Sequence, residues 1–192
     1  MNILLLVGKE DVECKLLNVS LLDCALKSLG GSHNITVCSK EESVEGVQRL
    51  SQNLGEYGTI KAFISQSSDE DVMVITKLAL CDINFENLQK YHRNHGRSIT
   101  VVCKNLVRDK SIPIFKLNED KVVTAVTCRR FADCGVYLLK KTLKFEQYGN
   151  LHNLLVGSIA DGQVRGFVHK GYWWTSANVR RRGDKNGTFN AS

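Results

Sequence analysis

The sequence predicts an α/β domain built on a mixed, mainly parallel sheet. Three observations predict it. Short apolar runs alternate with amphipathic stretches of helical spacing through the first half, the pattern of βαβ units. The runs are apolar at successive positions, as strands covered on both faces require. Later, two apolar runs close on each other around Asn118-Glu119-Asp120, so a hairpin joins the sheet and makes it mixed. At 192 residues the chain is expected to form one domain. A domain of that size buries about two thirds of its unfolded surface and needs no disulfides.

The elements follow in order. Residues 3–7 are a continuous apolar run ending at Gly8, a buried strand. Residues 16–29 take helical spacing in their later part, and Gly30-Gly31 suits a C-cap. Residues 35–38 are a second short strand. Residues 41–54 read as an amphipathic helix with Val44, Val47, Leu50 and Leu54 on one face, and residues 60–64 as a weaker strand. Residues 72–75 form a strong strand after the acidic turn Asp69-Glu70-Asp71. Residues 84–95 are a helix capped by Asn84, with Phe85, Leu88 and Tyr91 inward and Gly96 at its end. Strands follow at 99–103, at 114–117 and 122–126 (the hairpin), and at 134–139. A helix at 151–160 stops before Asp161-Gly162, and short strands at 164–169 and 172–174 flank Lys170-Gly171. The domain is expected to span 1–182, with 183–192 a polar, frayed tail.

Composition excludes several classes. Hydrophobic residues make up 43% and charged residues 24%, which fits neither disorder, collagen nor a coiled coil. No apolar run approaches the ~20 residues of a membrane helix, and residues 2–7 lack the flanks of a signal peptide. A cytoplasmic protein without membrane contact is expected. The net charge of +6 is modest, and its sharpest cluster is Arg180-Arg181-Arg182. No aromatic-rich basic face accompanies it, so specific nucleic-acid binding is not expected, and the charge goes with solubility or with small phosphate-bearing ligands. The seven cysteines are odd in number and form no C-x-x-C pair, so they read as buried free thiols. The Asn-x-Ser/Thr sites at Asn18, Asn34, Asn186 and Asn190 are expected to stay unmodified.

In such a sheet, ligands bind beyond the carboxyl ends of the strands. That selects residues 8–11, Ser39-Lys40, residues 76–78, Lys104-Asn105 and Trp174-Thr175. Gly8 with Lys9 reads either as a turn glycine beside a solvated lysine or as backbone N–H and ammonium for a phosphate. No complete phosphate-loop motif decides it. Glu10, Asp11 and Glu13 read either as Mg²⁺ ligands or as first-turn acids favoured by a helix dipole. Asp82 lies several residues past a strand. His92 and His95, flanked by Arg93 and Arg97, read as a solvated helix face rather than a metal site. Trp173-Trp174 could line a sugar or base pocket, or pack in the core.

Several stretches carry a resemblance. Residues 85–103, FENLQKYHRNHGRSITVVC, follow L-x-x-L-x-x-F-H-x-x-x-G-x-x-x-T and a hydrophobic triplet. They are preceded by the strand-and-loop unit 72–83, VMVITKLALCDI. Residues 115–126, FKLNEDKVVTAV, match V-x-(L/V)-D-x-x-G-x-V-x-x-(F/V). Residues 134–139, CGVYLL, match the later part of N-A-G-I-Y-(V/L)-(F/L), and 163–174, QVRGFVHKGYWW, match x-(L/V)-x-G-(Y/F)-x-x-x-G-(Y/F)-W. In this order the stretches resemble sugar-1-phosphate nucleotidylyltransferases, the heptose- and mannose-1-phosphate guanylyltransferase branch above all. The resemblance covers residues 70–182 well and the first 70 loosely. It implies a single Rossmann-like domain of the nucleotide-diphospho-sugar transferase kind. It also implies a reaction in which a sugar-1-phosphate oxygen attacks the α-phosphorus of a nucleoside triphosphate and pyrophosphate leaves, assisted by Mg²⁺ and basic residues.

The chain departs from the family where the chemistry sits. The opening G-G-x-G-T-R-L…K-P is replaced by Gly8-Lys9-Glu10-Asp11, and the G-T-A-x-A/G segment near Gln66-Ser67-Ser68 is missing. N-G-D becomes Thr76-Lys77-Leu78, and G-(Y/F)-W-x-D-x-G becomes Gly171-Tyr172-Trp173-Trp174-Thr175-Ser176-Ala177. Leu78 and Thr175 thus stand at the two metal carboxylates. The E-K-P region reads Cys128-Arg129-Arg130, and Asp133 replaces Asn. Neither Leu nor Thr replaces a carboxylate on Mg²⁺, and a triphosphate transition state depends on such a cation. The expectation is a fold retained and a transfer impaired. Gly8, Lys9, Lys77, Arg129 and Trp174 would then contact a nucleotide or sugar phosphate without metal, or the chain would act as a regulatory or interaction subunit in a homo- or hetero-oligomer. Two alternatives stand beside it. One is an active Mg²⁺-dependent nucleotidylyltransferase with Asp11 and Asp82 as relocated ligands. The other is a ligand-free interaction module using the sheet edge and Trp173-Trp174.

Overall fold

Asn2–Val7 forms the central strand, β1, of a computed structural model that describes residues 1–16, 19–30, 33–39, 48–49, 54–105, 114–127 and 131–176. After it come α1 (Lys9–Glu13), β2 (Lys15–Leu16), β3 (Val19–Ser20), α2 (Leu21–Leu29), β4 (Asn34–Ser39), β5 (Gln48–Arg49) and α3 (Gly55–Gln66). Then follow β6 (Asp71–Ile75), β7 (Ala79–Cys81), α4 (Phe85–His95), β8 (Ile99–Asn105), β9 (Ile114–Leu117), β10 (Val123–Thr127) and β11 (Phe131–Lys140). A 3-10 turn at Phe145–Gln147, α5 (Leu151–Ala160), β12 (Val164–His169) and β13 (Trp173–Thr175) complete the described chain.

The main sheet has nine strands, and β1 lies between β4 and β6, parallel to both. β11 runs antiparallel to β6 on one side and to β8 on the other, and β12 adds to β8 in parallel. Followed through these pairings, β5, β4, β1, β6, β8, β9 and β12 run one way, and β10 and β11 the other. The sheet is therefore mixed and mainly parallel, as its continuous apolar runs predict. Alternate residues of β1 feed two cores. Ile3, Leu5 and Val7 pack with α2, α4 and β13, while Leu4 and Leu6 pack with α3, α5 and the β9–β10 hairpin. All five are fully buried, and each contributes roughly 1.5–3 kcal/mol of burial free energy.

Local signals place the helices. In α4, Asn84 Oδ1 accepts from Asn87 N at 2.9 Å, and Gly96 ends the helix at φ 68°. In α5, Asn150 caps in the same way, accepting from Asn153 N at 2.8 Å. Among the described residues no helix is long and apolar enough to cross a membrane.

Three expectations are corrected. Residues 60–64 are not a strand but the middle of α3. Ile60, Phe63 and Ile64 fall at i, i+3 and i+4, and the glycines at 55 and 58 mask the helical signal. The helix expected over 41–54 does not run through Gln48–Arg49, which pair with Cys38 and Ser39 as β5, and Leu54 is exposed rather than on an apolar face. The remaining residues of that helix, 41–47 and 50–53, lie outside the described residues, as does the tail expected at 183–192. Third, His92 is fully buried, not solvated. It stands seven residues after Phe85 on the inward face of α4, while Arg93 and the region of Arg97 turn outward.

Candidate functional site at the carboxyl ends of the strands

The chain leaves β1 at Gly8 and turns directly into α1. Asp11 Oδ2 accepts from Gly8 N at 3.1 Å, and Asp11 Oδ1 accepts from Ser176 Oγ at 3.1 Å. Asp11 therefore ties the end of β1 to the residue after β13. The N–H that could serve a phosphate at Gly8 is already taken by a carboxylate, and α1 is too short to act as a dipole. Lys9 lies in α1, but its side chain is outside the described residues, as are Lys40 and Arg129.

β7 and β13 form a separate two-stranded antiparallel ribbon with Thr175 opposite Ala79, Trp174 opposite Leu80 and Trp173 opposite Cys81. This register sets Leu78, one residue before Ala79, beside Thr175. The two positions that the resemblance assigns to metal carboxylates are thus neighbours in space, close to Asp11 through Ser176. Leu78 is only 1% exposed and belongs to the apolar core beneath. Magnesium demands several oxygen ligands in near-octahedral array, and a buried leucine offers none. No group of three or more His, Cys, Asp or Glu among the described residues is placed to hold a metal ion. The donor set at this position does not fit Mg²⁺.

Lys77 leaves the end of β6 and lies across Gly135, its Nζ donating to the Asp133 carbonyl at 3.4 Å. Gly135 is required here on two counts. Its φ is +70°, and a Cβ would stand 2.7 Å from Lys77 Cγ. Under the lysine, the Asp133 carboxylate is buried. Gly135 N donates to Oδ1 at 2.7 Å and the Tyr137 hydroxyl donates to Oδ2. Burial pushes the Asp133 carboxyl above the usual range, against the opposing pull of the Lys77 ammonium.

Asp82 and Trp174 stand further along the ribbon. His169, at the end of β12, places Nε2 3.0 Å from Asp82 Oδ1 and 2.9 Å from the Tyr172 carbonyl. The Asp82 carboxylate presses on Gly171, where a Cβ would collide with it. Lys104 Nζ donates to the Gly171 carbonyl. Asp11 and Asp82 thus serve two different partnerships. Trp174 is half-buried with its ring 6.1 Å from that of the exposed Tyr172, whereas Trp173 is a core residue. The six described cysteines are all free, and burial pushes Cys103 up to about 12, so it stays protonated and packs as a small hydrophobe. His169 is not singled out by the sequence; its place at the end of a predicted strand is the one signal that could have found it.

Three solved structures share this architecture. HddC from Yersinia pseudotuberculosis matches at 15% identity and TM-score 0.65, over 90% of this chain and 92% of its own. HddC complexed with GMP-PN matches at 15% identity and TM-score 0.63, over 96% and 98%. A putative glucose-1-phosphate thymidylyltransferase from Bacillus anthracis, in complex with a sucrose, matches at 10% identity and TM-score 0.72, over 100% and 97%. No protein-family model and no curated protein matches the sequence. At these identities the likeness establishes the fold alone, a mixed α/β domain of the Rossmann type.

Proposed function

We propose that this chain is a nucleotidyltransferase-like protein that binds a nucleotide or sugar phosphate at the carboxyl ends of β1 and β6 and is impaired in nucleotidyl transfer. The observation that carries this reading is the pairing of β7 with β13, which makes Leu78 and Thr175 neighbours. Transfer requires charge on three phosphates to be neutralised as the bond to pyrophosphate breaks, and preorganised cations supply most of that stabilisation. A leucine and a threonine hold no such ion. Lys77, fixed across Gly135, supplies a protein ammonium in its stead, sufficient to hold a phosphate but not to organise an in-line displacement. Binding without turnover suits a sensor or a regulatory subunit of a larger assembly.

Calorimetry with nucleoside triphosphates and nucleotide-sugars, with and without Mg²⁺, tests this. Metal-independent binding is expected, with no pyrophosphate release in the presence of a sugar 1-phosphate. Binding that needs Mg²⁺, with pyrophosphate release abolished by Asp11→Asn or Asp82→Asn, would establish the active enzyme instead. Absence of all binding would leave an interaction module. Thr175→Asp combined with Leu78→Asp is expected to introduce measurable Mg²⁺ affinity; because position 78 is buried, Thr175→Asp alone serves where the double variant fails to fold.

A further inference from the structure

A cleft lies towards the amino ends of β8 and β12, where the β9–β10 turn meets the last turn of α4. Its volume is about 290 Å³, and its lining includes Tyr91, Glu119, Asp120, Lys121 and Arg165. The turn is anchored on all sides. Lys121 N donates to Asn118 O at 3.0 Å, Val122 N to Asn118 Oδ1 at 2.9 Å, and Gly166 N to Lys121 O at 2.8 Å. Arg165 donates from Nε at 2.9 Å and from Nη2 at 2.6 Å to the Asp120 carbonyl, which immobilises its guanidinium and leaves Nη1 without a partner among the described residues. Tyr91, whose hydroxyl donates to Gly166 O at 2.9 Å, forms the floor.

Lys121 is the telling residue. It is the one non-glycine residue with positive φ among those described, at 60°. The hairpin motif that this segment resembles carries glycine there. A lysine in the left-handed region is strained, and such strain persists only where the surroundings enforce it. Its ammonium lies 5.8 Å from the centre of the Tyr91 ring, in reach of a cation–π contact. The cleft is therefore lined by two cations, Lys121 and the held Arg165, and by two exposed acidic residues, Glu119 and Asp120. Burial holds His95 down at about 4, so it adds no charge at neutral pH.

We propose that this cleft is a binding site for a small zwitterion of the free α-amino acid class. Its carboxylate meets Lys121 and Arg165, and its ammonium meets Glu119 and Asp120. A phosphate dianion would face both carboxylates, and a bare amine both cations, so only a molecule carrying both charges is satisfied. The volume is near the bottom of the small-molecule range, about 300–1,000 Å³, which suits an amino acid.

The test is calorimetry of the full chain with each free α-amino acid, with acetate and methylamine as single-charge probes and inorganic phosphate as the competing class. Saturable binding of at least one amino acid is expected, at least tenfold tighter than any of the other probes. Arg165→Ala should weaken it at least tenfold. Lys121→Gly should do the same while leaving Tm level or raising it by about 2–4 °C, because the strain is relieved. A more stable protein that no longer binds separates a site residue from a structural one. Lys77→Ala should leave amino-acid binding unchanged, which keeps this site distinct from the one at β1 and β6. Phosphate binding tighter than every amino acid, no saturable amino-acid binding, or binding indifferent to both Arg165→Ala and Lys121→Gly would each overturn the proposal.

Discussion

The two ends of the sheet use polar residues differently. At the amino ends of β6 and β8, Asp71, His92 and Thr100 are buried and linked through the core. At the carboxyl ends, Asp133 is buried in β11 beneath Lys77, while other polar groups lie beside turns and a two-stranded ribbon and hold one another. Asp11 takes Gly8 and Ser176, and Asp82 takes His169. Residues at the first end hold the core together. Residues at the second lie beside turns and a two-stranded ribbon, where backbone pairing stops, so changes there cost the fold less.

The amino-end network should therefore give the largest effects on stability. Arg97 N donates to His95 Nδ1 at 3.0 Å, so a neutral His95 carries its proton on Nε2 and donates to Thr100 Oγ at 2.6 Å. Thr100 then donates to His92 Nδ1 at 2.7 Å, and His92 Nε2–H faces Asp71 Oδ1 at 3.4 Å. Thr100→Val keeps the volume and strands two ring nitrogens. A loss of about 2–4 kcal/mol is expected in urea unfolding at pH 7. A loss under ~0.5 kcal/mol would erase the contrast between the two ends.

The same network sets a pH dependence. Burial lowers His92 and His95 to about 4 from the ordinary 6.5. Both are neutral in the folded protein, and the unfolded chain binds the extra protons. Stability is therefore full above pH 6.5 and falls as pH drops from 6.5 towards 4. The drop is on the order of 2–3 kcal/mol for buried His92 and smaller for the more exposed His95, where solvent screens. Because carboxylates titrate in the same window, the comparison is with His92→Gln, whose stability curve should be flatter by that amount. Parallel curves would refute the assignment.

Across the sheet, Gly135→Ala probes the carboxyl end through its backbone. Its φ of +70° strains any side chain, and the new methyl must displace the Lys77 stem. A destabilisation of about 1–2 kcal/mol is expected, less than at Thr100, but with phosphate-ligand affinity falling alongside it. Unchanged affinity would remove Lys77 from the site.

How much of this was legible depends on whether the signal is local. Strands β1, β6, β8 and β11 are continuous apolar runs, and α4 carries both its caps in sequence, so these elements can be read directly. α3 cannot, because two glycines and β-branched Thr59 and Ile60 weaken its helical pattern. His92 is hidden by charged sequence neighbours that turn out not to share its face. At the candidate site, the resemblance marks positions 78 and 175, but their adjacency comes from a ribbon between segments nearly a hundred residues apart. No local pattern announces that Asp11 occupies the Gly8 N–H, that His169 holds Asp82, or that Asp133 is buried beneath Lys77. Those facts belong to tertiary packing.

The smallest effect on stability should come at Lys77 itself, and it is the sharpest test of the contrast. Its side chain is only half-buried, and its hydrogen bond to the Asp133 carbonyl is a long 3.4 Å. Lys77→Ala should therefore change stability by no more than about 0.5 kcal/mol. Losing the ammonium beside Asp133 should raise that carboxyl further, since the lysine now opposes the effect of burial. Binding of a phosphate-bearing ligand should meanwhile weaken about tenfold, the equivalent of ~1.4 kcal/mol. Lys77→Arg keeps the charge but not the compact ammonium over Gly135, so it should recover part of the affinity. A variant that loses stability without losing affinity would mean that Lys77 serves the fold, and the carboxyl end would then resemble the amino end after all.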